Sequence, residues 1–280
     1  MATTMNAARV ATLKVPGAAL YYEVRGSGPV LLMIPGGPTD AGVYAEIAGV
    51  LADRYTVVKY DPRGNSRSAL DGPPEDWRAE IHADDARRLL SAVGDGPAYV
   101  FGNSGGALVG LALAARHPES VHVLVAHEPP AMELLPDREA RRAAVQDVYD
   151  TYRREGVGPA MAKFLAAAGL EGPPPPPRGG VTPEMAEGMA RMGRNVDGFL
   201  AHGLRAISAY VPDVSALRAA STRVVVAGGQ ESRRQPAYQA SAALAARLGT
   251  TIVDFPGGHG GFGSHPAEFA DTLHRTLRER

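Results

Sequence analysis

The chain has 280 residues, 45% of them hydrophobic, enough for one substantial core that carries an insertion. Its 29 Lys and Arg stand against 30 Asp and Glu, a formal charge of −1, which excludes the global basic field that nucleic acid or an anionic membrane surface would require. With no cysteine there is no disulfide framework, thiolate metal site or cysteine nucleophile, and no apolar run approaches the ~18–20 residues of a membrane span. The opening stretch MATTMNAARVATLKVPG lacks the apolar segment of a secretion signal, so an untargeted, soluble, cytoplasmic protein is expected.

In chain order, LKV and ALYYEV flank Pro16-Gly17 and read as an opening hairpin. Six β-rich runs follow: VLLMI (30–34), YTVVKY (55–60), AYVF (98–101), VHVLVA (121–126), RVVVA (223–227) and TIVDF (251–255). They alternate with Ala- and Leu-rich segments of helical length, and Gly, Pro or Asp follows most of them. That pattern predicts an α/β fold in which helices cover both faces of a mostly parallel, eight-stranded sheet. From Met132 to Pro212 the β-rich runs stop and helical segments at 137–154 and 184–210 take over. A helical cap over 132–212 is therefore expected, inserted between core segments 1–131 and 213–280. Within it, GPPPPPRGG at 172–180 can be neither helix nor central strand and reads as a stiff polyproline loop between glycine hinges.

The strongest chemical signal follows AYVF. Gly102-Asn103-Ser104-Gly105-Gly106 leads into the apolar helical segment ALVGLALAARHP, a G-x-S-x-G between strand and helix. A tight turn there holds a serine in strained geometry, glycines let the chain pass closely, and the free amides of a helix start favour negative charge. On this motif, with Pro35-Gly36-Gly37-Pro38 after VLLMI, Asp61-Pro62-Arg63-Gly64-Asn65-Ser66-Arg67-Ser68 after YTVVKY and a late histidine, the chain resembles the α/β-hydrolase superfamily over nearly its whole length. The resemblance implies an α/β-hydrolase fold with Ser104 as nucleophile. It also implies an oxyanion hole made by the amides of Gly105 and Gly37, the latter matching the third position of a His-Gly-x loop whose first position is Pro35 here.

The base is expected at His259, in Pro256-Gly257-Gly258-His259-Gly260-Gly261, after the last strand and before a C-terminal helix starting near Pro266. This is where the superfamily carries its histidine. His82, His117, His202 and His274 fall on helices or their ends, where surface roles are common. His265 reads as a helix-start residue, and His122 and His127 point to opposite faces of a strand. The same loop satisfies G-x-G-x-x-G at 258–263, but too little chain follows for a dinucleotide-binding βαβ unit, so no cofactor is expected, and no metal.

Two carboxylates compete for the triad acid. Glu231 lies near the usual G-x-x-D position, yet counting from Gly229 puts Ser232 where the Asp would be. Glu128, in His127-Glu128-Pro129-Pro130, lies at the end of the preceding strand, where a smaller set of relatives carries its acid. The zearalenone lactonohydrolases are among them, and the chain resembles them at the nucleophile segment and at this His-Glu-x-Pro stretch. Glu128 is taken as the acid and Glu231 as its rival.

A serine nucleophile disfavours the carboxylate-based chemistry of haloalkane dehalogenases and ordinary epoxide hydrolases. The expected substrate is a small hydrophobic ester or lactone, a zearalenone-type macrolactone being the nearest lead, with no nucleic acid or membrane partner and a homodimer left open. The cap offers Met132, Leu134, Leu135, Met161, Phe164, Met185, Met189, Met192 and Phe199 for an apolar pocket, at least half of them as cap core. The lactonohydrolases set a cap tryptophan against the substrate, whereas the single tryptophan here, Trp77, precedes the cap. Two alternatives stand beside ester cleavage. GGP and DPRGNSRS suggest a proline iminopeptidase-like enzyme with Glu184 or Glu187 as amino-terminus anchor, and the fold also hosts non-hydrolytic sensors and cofactor-free oxygenases.

Overall fold

The computed structural model describes residues 8–172 and 181–279, so all but the first residue of the expected polyproline loop lies outside the described residues. The strands are β1 (Arg9–Val15), β2 (Ala18–Arg25), β3 (Val30–Ile34), β4 (Thr56–Tyr60), β5 (Ala69–Leu70), β6 (Ala98–Asn103), β7 (Val121–His127), β8 (Arg223–Gly229) and β9 (Val253–Phe255). β1 and β2 form the expected hairpin: Val15 lies opposite Ala18, and Gly17 turns the chain at φ +78°. The sheet runs β1-β2-β4-β3-β6-β7-β8-β9, with β2 antiparallel to both neighbours and every pairing from β4 to β9 parallel. Those eight strands are the eight expected. The two-residue β5, which has no apolar run to announce it, pairs with β2.

Helices α1 (Ala45–Leu51), α2 (Ala79–Val93) and α3 (Gly105–Arg116) interleave with the first strands. Between β7 and β8 the described chain is helical: a 3₁₀ turn Met132–Leu134, α4 (Arg138–Glu155), α5 (Val157–Ala168), α6 (Pro183–Gly198), a π-helical turn Phe199–Gly203 and α7 (Leu204–Ala209). The helix expected over 184–210 is thus broken by the π turn, and α5 adds a helix that the expected segments do not include. After it come α8 (Val214–Ala219), α9 (Pro236–Leu248), the short α10 (Gly261–Ser264) and α11 (Pro266–Arg278). Among the described residues no helix is long and apolar enough to cross a membrane.

The central strands are nearly continuous apolar runs because both their faces are covered. On one face α2, α3, α8 and α9 pack over Leu20, Leu32, Val58, Val100 and Leu124. On the other, α1, α10 and α11 pack over Leu31, Val57, Val123 and Val125, with Phe101, Phe262 and Phe269 in mutual edge contact and Phe255 tilted against Phe269. In α11 the buried residues Phe269, Ala270, Leu273 and Leu277 recur at helical spacing, which lays one stripe on the sheet.

The helical segment is tied to the core by polar contacts. Asn195 of α6, 3% exposed, accepts from the Ser66 amide (2.8 Å) and donates to its hydroxyl (2.9 Å), while that hydroxyl donates to Asp40 (2.7 Å). Arg191 reaches the same carboxylate at 3.4 Å. Ser66 sits at φ +49°, a conformation these bonds hold in place.

Candidate active site

Ser104 stands between β6 and α3 at φ +55°, ψ −126°, a strained conformation for a non-glycine residue. Its amide donates to the His127 carbonyl at 2.9 Å. A Cβ on Gly102 would lie 2.4 Å from the Gly106 carbonyl oxygen, and one on Gly106 would lie 2.2 Å from the Ile34 carbonyl oxygen. Only glycine at both positions lets the turn close against β3, so the expected steric reason for G-x-S-x-G is present here. The neighbouring Asn103 side chain is held by His127, whose Nδ1 is 2.8 Å from Asn103 Oδ1. Complete burial pushes the His127 pKa down to about 4, against the pull of Glu128, so this imidazole is neutral at pH 7.

Gly37 and Gly105 come together. A Cβ on Gly105 would lie 3.4 Å from the Gly37 nitrogen, and neither amide has an acceptor among the described residues. Gly37 is at φ +54° with open space around it, and Gly105 opens α3, whose start favours negative charge. Two free amides beside a serine are what a tetrahedral oxyanion needs.

Glu128 follows β7 at φ +49° and is 0% exposed. Its Oε1 accepts from the Gly229 amide at 2.8 Å and from the Ser232 hydroxyl, and its Oε2 lies 2.6 Å from His259 Nδ1. Burial pushes this carboxyl up, but the hydrogen bond and charge of His259, with His127 and Ser232 adding to them, outweigh burial and hold it below the ordinary carboxylate range. His259 reaches it from the loop after β9 with its side chain 17% exposed. Glu231 is exposed; its amide donates to the Gly257 carbonyl at 3.0 Å, and its carboxylate has no hydrogen bond or ion pair among the described residues. The geometry therefore brings Glu128 to His259 and leaves Glu231 aside. Ser232, standing where the usual Asp was expected, instead helps to hold Glu128.

A cavity of about 350 Å³ opens beside Gly37 and Gly105. Its walls differ from the expected cap lining. Of the nominated cap side chains only Phe199 borders it; Leu134 and Leu135 are buried in the core, and Met185 and Met189 are 40% and 59% exposed. Most of the wall comes instead from the chain around β5 and the start of α2, including Trp77 and His82, and from the π turn with His202. The Trp77 amide donates to the His202 carbonyl at 3.0 Å, and His202 Nδ1 lies 3.2 Å from Asp76, so the two stretches meet over the cavity. Trp77 precedes the expected cap in sequence yet borders the same space. His82 and His202, expected as surface residues, line it too, because a helical start and a π turn from distant segments are joined there. No local sequence pattern carries that signal.

A model of the alpha/beta hydrolase fold matches residues 29–266. The chain is 39% identical over 276 residues to an uncharacterized hydrolase, YraK, of Bacillus subtilis (strain 168), covering 96% of each chain. Among solved structures it is similar to a thermophilic esterase from Thermogutta terrifontis (TM-score 0.72, 22% identity, 98% of each chain). It is also similar to the enol-lactonase from Burkholderia xenovorans LB400 (TM-score 0.71, 21% identity, 96% of this chain and 100% of that one). With its sheet order, its strained serine turn and a family match spanning most of its length, the chain belongs to the α/β-hydrolase family and is a hydrolase.

Proposed function

We propose that this hydrolase cleaves a hydrophobic carboxylic ester or lactone through an acyl-enzyme, with Ser104 as nucleophile, His259 as base and Glu128 as acid, and with residues 132–212 acting as its cap. The observation that carries the reading is the His259 Nδ1 to Glu128 Oε2 contact of 2.6 Å, next in the sheet to the strained Ser104 turn. With Nδ1–H donating to the carboxylate, Nε2 is free to take the Ser104 hydroxyl proton as its oxygen attacks the acyl carbon. The Gly37 and Gly105 amides hold the oxyanion, and His259 returns the proton to the leaving alkoxide. Water, deprotonated by His259, then attacks the acyl-enzyme; the acid leaves and Ser104 regains its proton.

Trp77 on the cavity wall favours a ring-bearing lactone, including the zearalenone-type macrolactone, as the finer substrate class. A peptidase reading finds less support. Glu187 pairs with Arg191 on its own helix and does not border the cavity, while the side chain of Glu184 lies outside the described residues. The carboxylates that do border the cavity are Glu75 and Asp76, both exposed.

The test is labelling with a fluorophosphonate probe and turnover of p-nitrophenyl esters, by wild type and by Ser104→Ala and His259→Ala. Both signals are expected in wild type and absent from the two variants. A wild type that neither labels nor turns over esters would overturn the serine mechanism.

A further inference from the structure

The far wall of the cavity carries polar groups that the triad does not use. Tyr60, at the end of β4, borders the cavity; its ring is 1% exposed and its hydroxyl has no hydrogen-bond partner among the described residues. A buried hydroxyl left without a partner is uncommon and unfavourable unless something else supplies one. His82 of α2, 8% exposed, borders the same space, stacked on Trp77 at 5.5 Å and 29°, and neither ring nitrogen has a hydrogen-bond partner among the described residues. Burial, with Arg63 nearby, pushes the His82 pKa down to about 3, so the imidazole is neutral and offers one donor and one acceptor. Burial likewise raises the Tyr60 phenol, which stays protonated and can donate. Arg63, the cation beside both, is engaged: it donates twice to Asp85 at 2.7 Å and once to the Pro16 carbonyl at 3.2 Å. Glu75 and Arg78 lie at exposed positions of the wall. The buried wall thus offers neutral hydrogen-bonding groups and, among the described residues, no unpaired charge.

We propose that Tyr60 and His82 form a recognition subsite for a neutral oxygen, a ketone or hydroxyl, on the substrate arm that fills this cavity beside Trp77. The Tyr60 hydroxyl donates to that oxygen; His82 accepts from a hydroxyl or donates to a ketone. The subsite deepens the ester or lactone reading, on which its role as a substrate site rests, and selects uncharged, oxygen-bearing substrates over carboxylates and ammonium ions, which would enter a buried space without a counter-charge.

The single tryptophan of the chain is Trp77, so its fluorescence reports occupancy without any turnover. Titration with heptan-2-one is expected to give a saturable change in emission, with heptanoate and heptylammonium binding at least about tenfold more weakly. Tyr60→Phe, which removes only the unpartnered hydroxyl, should weaken heptan-2-one about tenfold while leaving the thermal midpoint unchanged or raised. A purely structural Tyr60 would lower the midpoint and leave ketone affinity unchanged. That result, or equal binding of the three probes, overturns the proposal. In a separate arm, wild type should prefer p-nitrophenyl 4-oxopentanoate to p-nitrophenyl pentanoate in kcat/KM, and Tyr60→Phe should abolish the preference. If neither ester is turned over, the hydrolytic reading of this site fails, while the fluorescence titration still decides the subsite.

Discussion

Replacing Glu128 by Gln separates the two carboxylates most sharply. Oε1 of Glu128 faces two donors, the Gly229 amide at 2.8 Å and the Ser232 hydroxyl, whereas Oε2 faces only His259 Nδ1 at 2.6 Å. An amide in the same place puts its oxygen on the two donors, and its NH₂ is left pointing at His259. The imidazole must then accept at Nδ1 and carry its proton on Nε2, the wrong tautomer for taking a proton from Ser104, and the carboxylate that stabilises the imidazolium is gone. By the behaviour of triads altered in this way, kcat should fall by about 10³–10⁴, or about 4–5.5 kcal/mol of transition-state stabilisation. The volume is unchanged, so the fold should survive; circular dichroism and a thermal melt check that. Glu231→Gln, at an exposed carboxylate without a partner among the described residues, should keep kcat within about threefold. Steady-state kinetics on a p-nitrophenyl ester decides. A Glu128→Gln enzyme retaining more than about a tenth of wild-type kcat, or a larger loss in Glu231→Gln, would refute the argument.

Four further outcomes follow from the packing. His82 and His127 are buried neutral, held down at about 3 and about 4 by burial, so below pH 6.5 the unfolded chain binds protons that the folded chain does not. Their contribution to stability should therefore be flat above about pH 6.5 and fall as pH drops below it, by about 1.4 kcal/mol per pH unit for each histidine; urea titrations at pH 7.0 and 5.0 measure it, and His82→Phe should reduce the slope. Asn195→Ala removes two hydrogen bonds between α6 and Ser66, at 2.8 and 2.9 Å, and should destabilise by about 1–2 kcal/mol, lowering the calorimetric midpoint by several degrees and raising KM as the π turn shifts. Gly36→Ala would place a Cβ 2.3 Å from the Asn103 carbonyl oxygen and 2.8 Å from Ser104 Cβ, and should abolish activity. Gly37→Ala meets nothing within 4 Å and keeps its amide, so it should lose only about 1–2 kcal/mol to its φ of +54°, with activity retained within about tenfold.

Much of the molecule is legible in its amino-acid order. The apolar runs from VLLMI to TIVDF form parallel strands within a residue or two of their expected ends, because a strand buried on both faces needs an unbroken apolar run whatever its neighbours are. The Ser104 turn is legible because its glycines answer to backbone contacts a few residues away, and His259 because the loop after the last strand is short. Less is legible where the chemistry is long-range. Glu128 and Glu231 both follow a strand end, and only the count from Gly229 and the resemblance at His127-Glu128-Pro129-Pro130 favour the former; in space the pairing of β7 with β8 sets the Gly229 amide against Glu128, while Glu231 is exposed. The cavity is legible least. Trp77, His82, Tyr60 and the π turn come from separate stretches of chain, and no spacing rule links them. The sequence by itself determined the class of fold, the Ser104 turn and the His259 loop, since these follow from local periodicity and local sterics. The contact of Glu128 with His259 and the lining of the cavity were decided only by the tertiary structure, because contacts between distant segments depend on sheet order and helix packing, which no local pattern encodes.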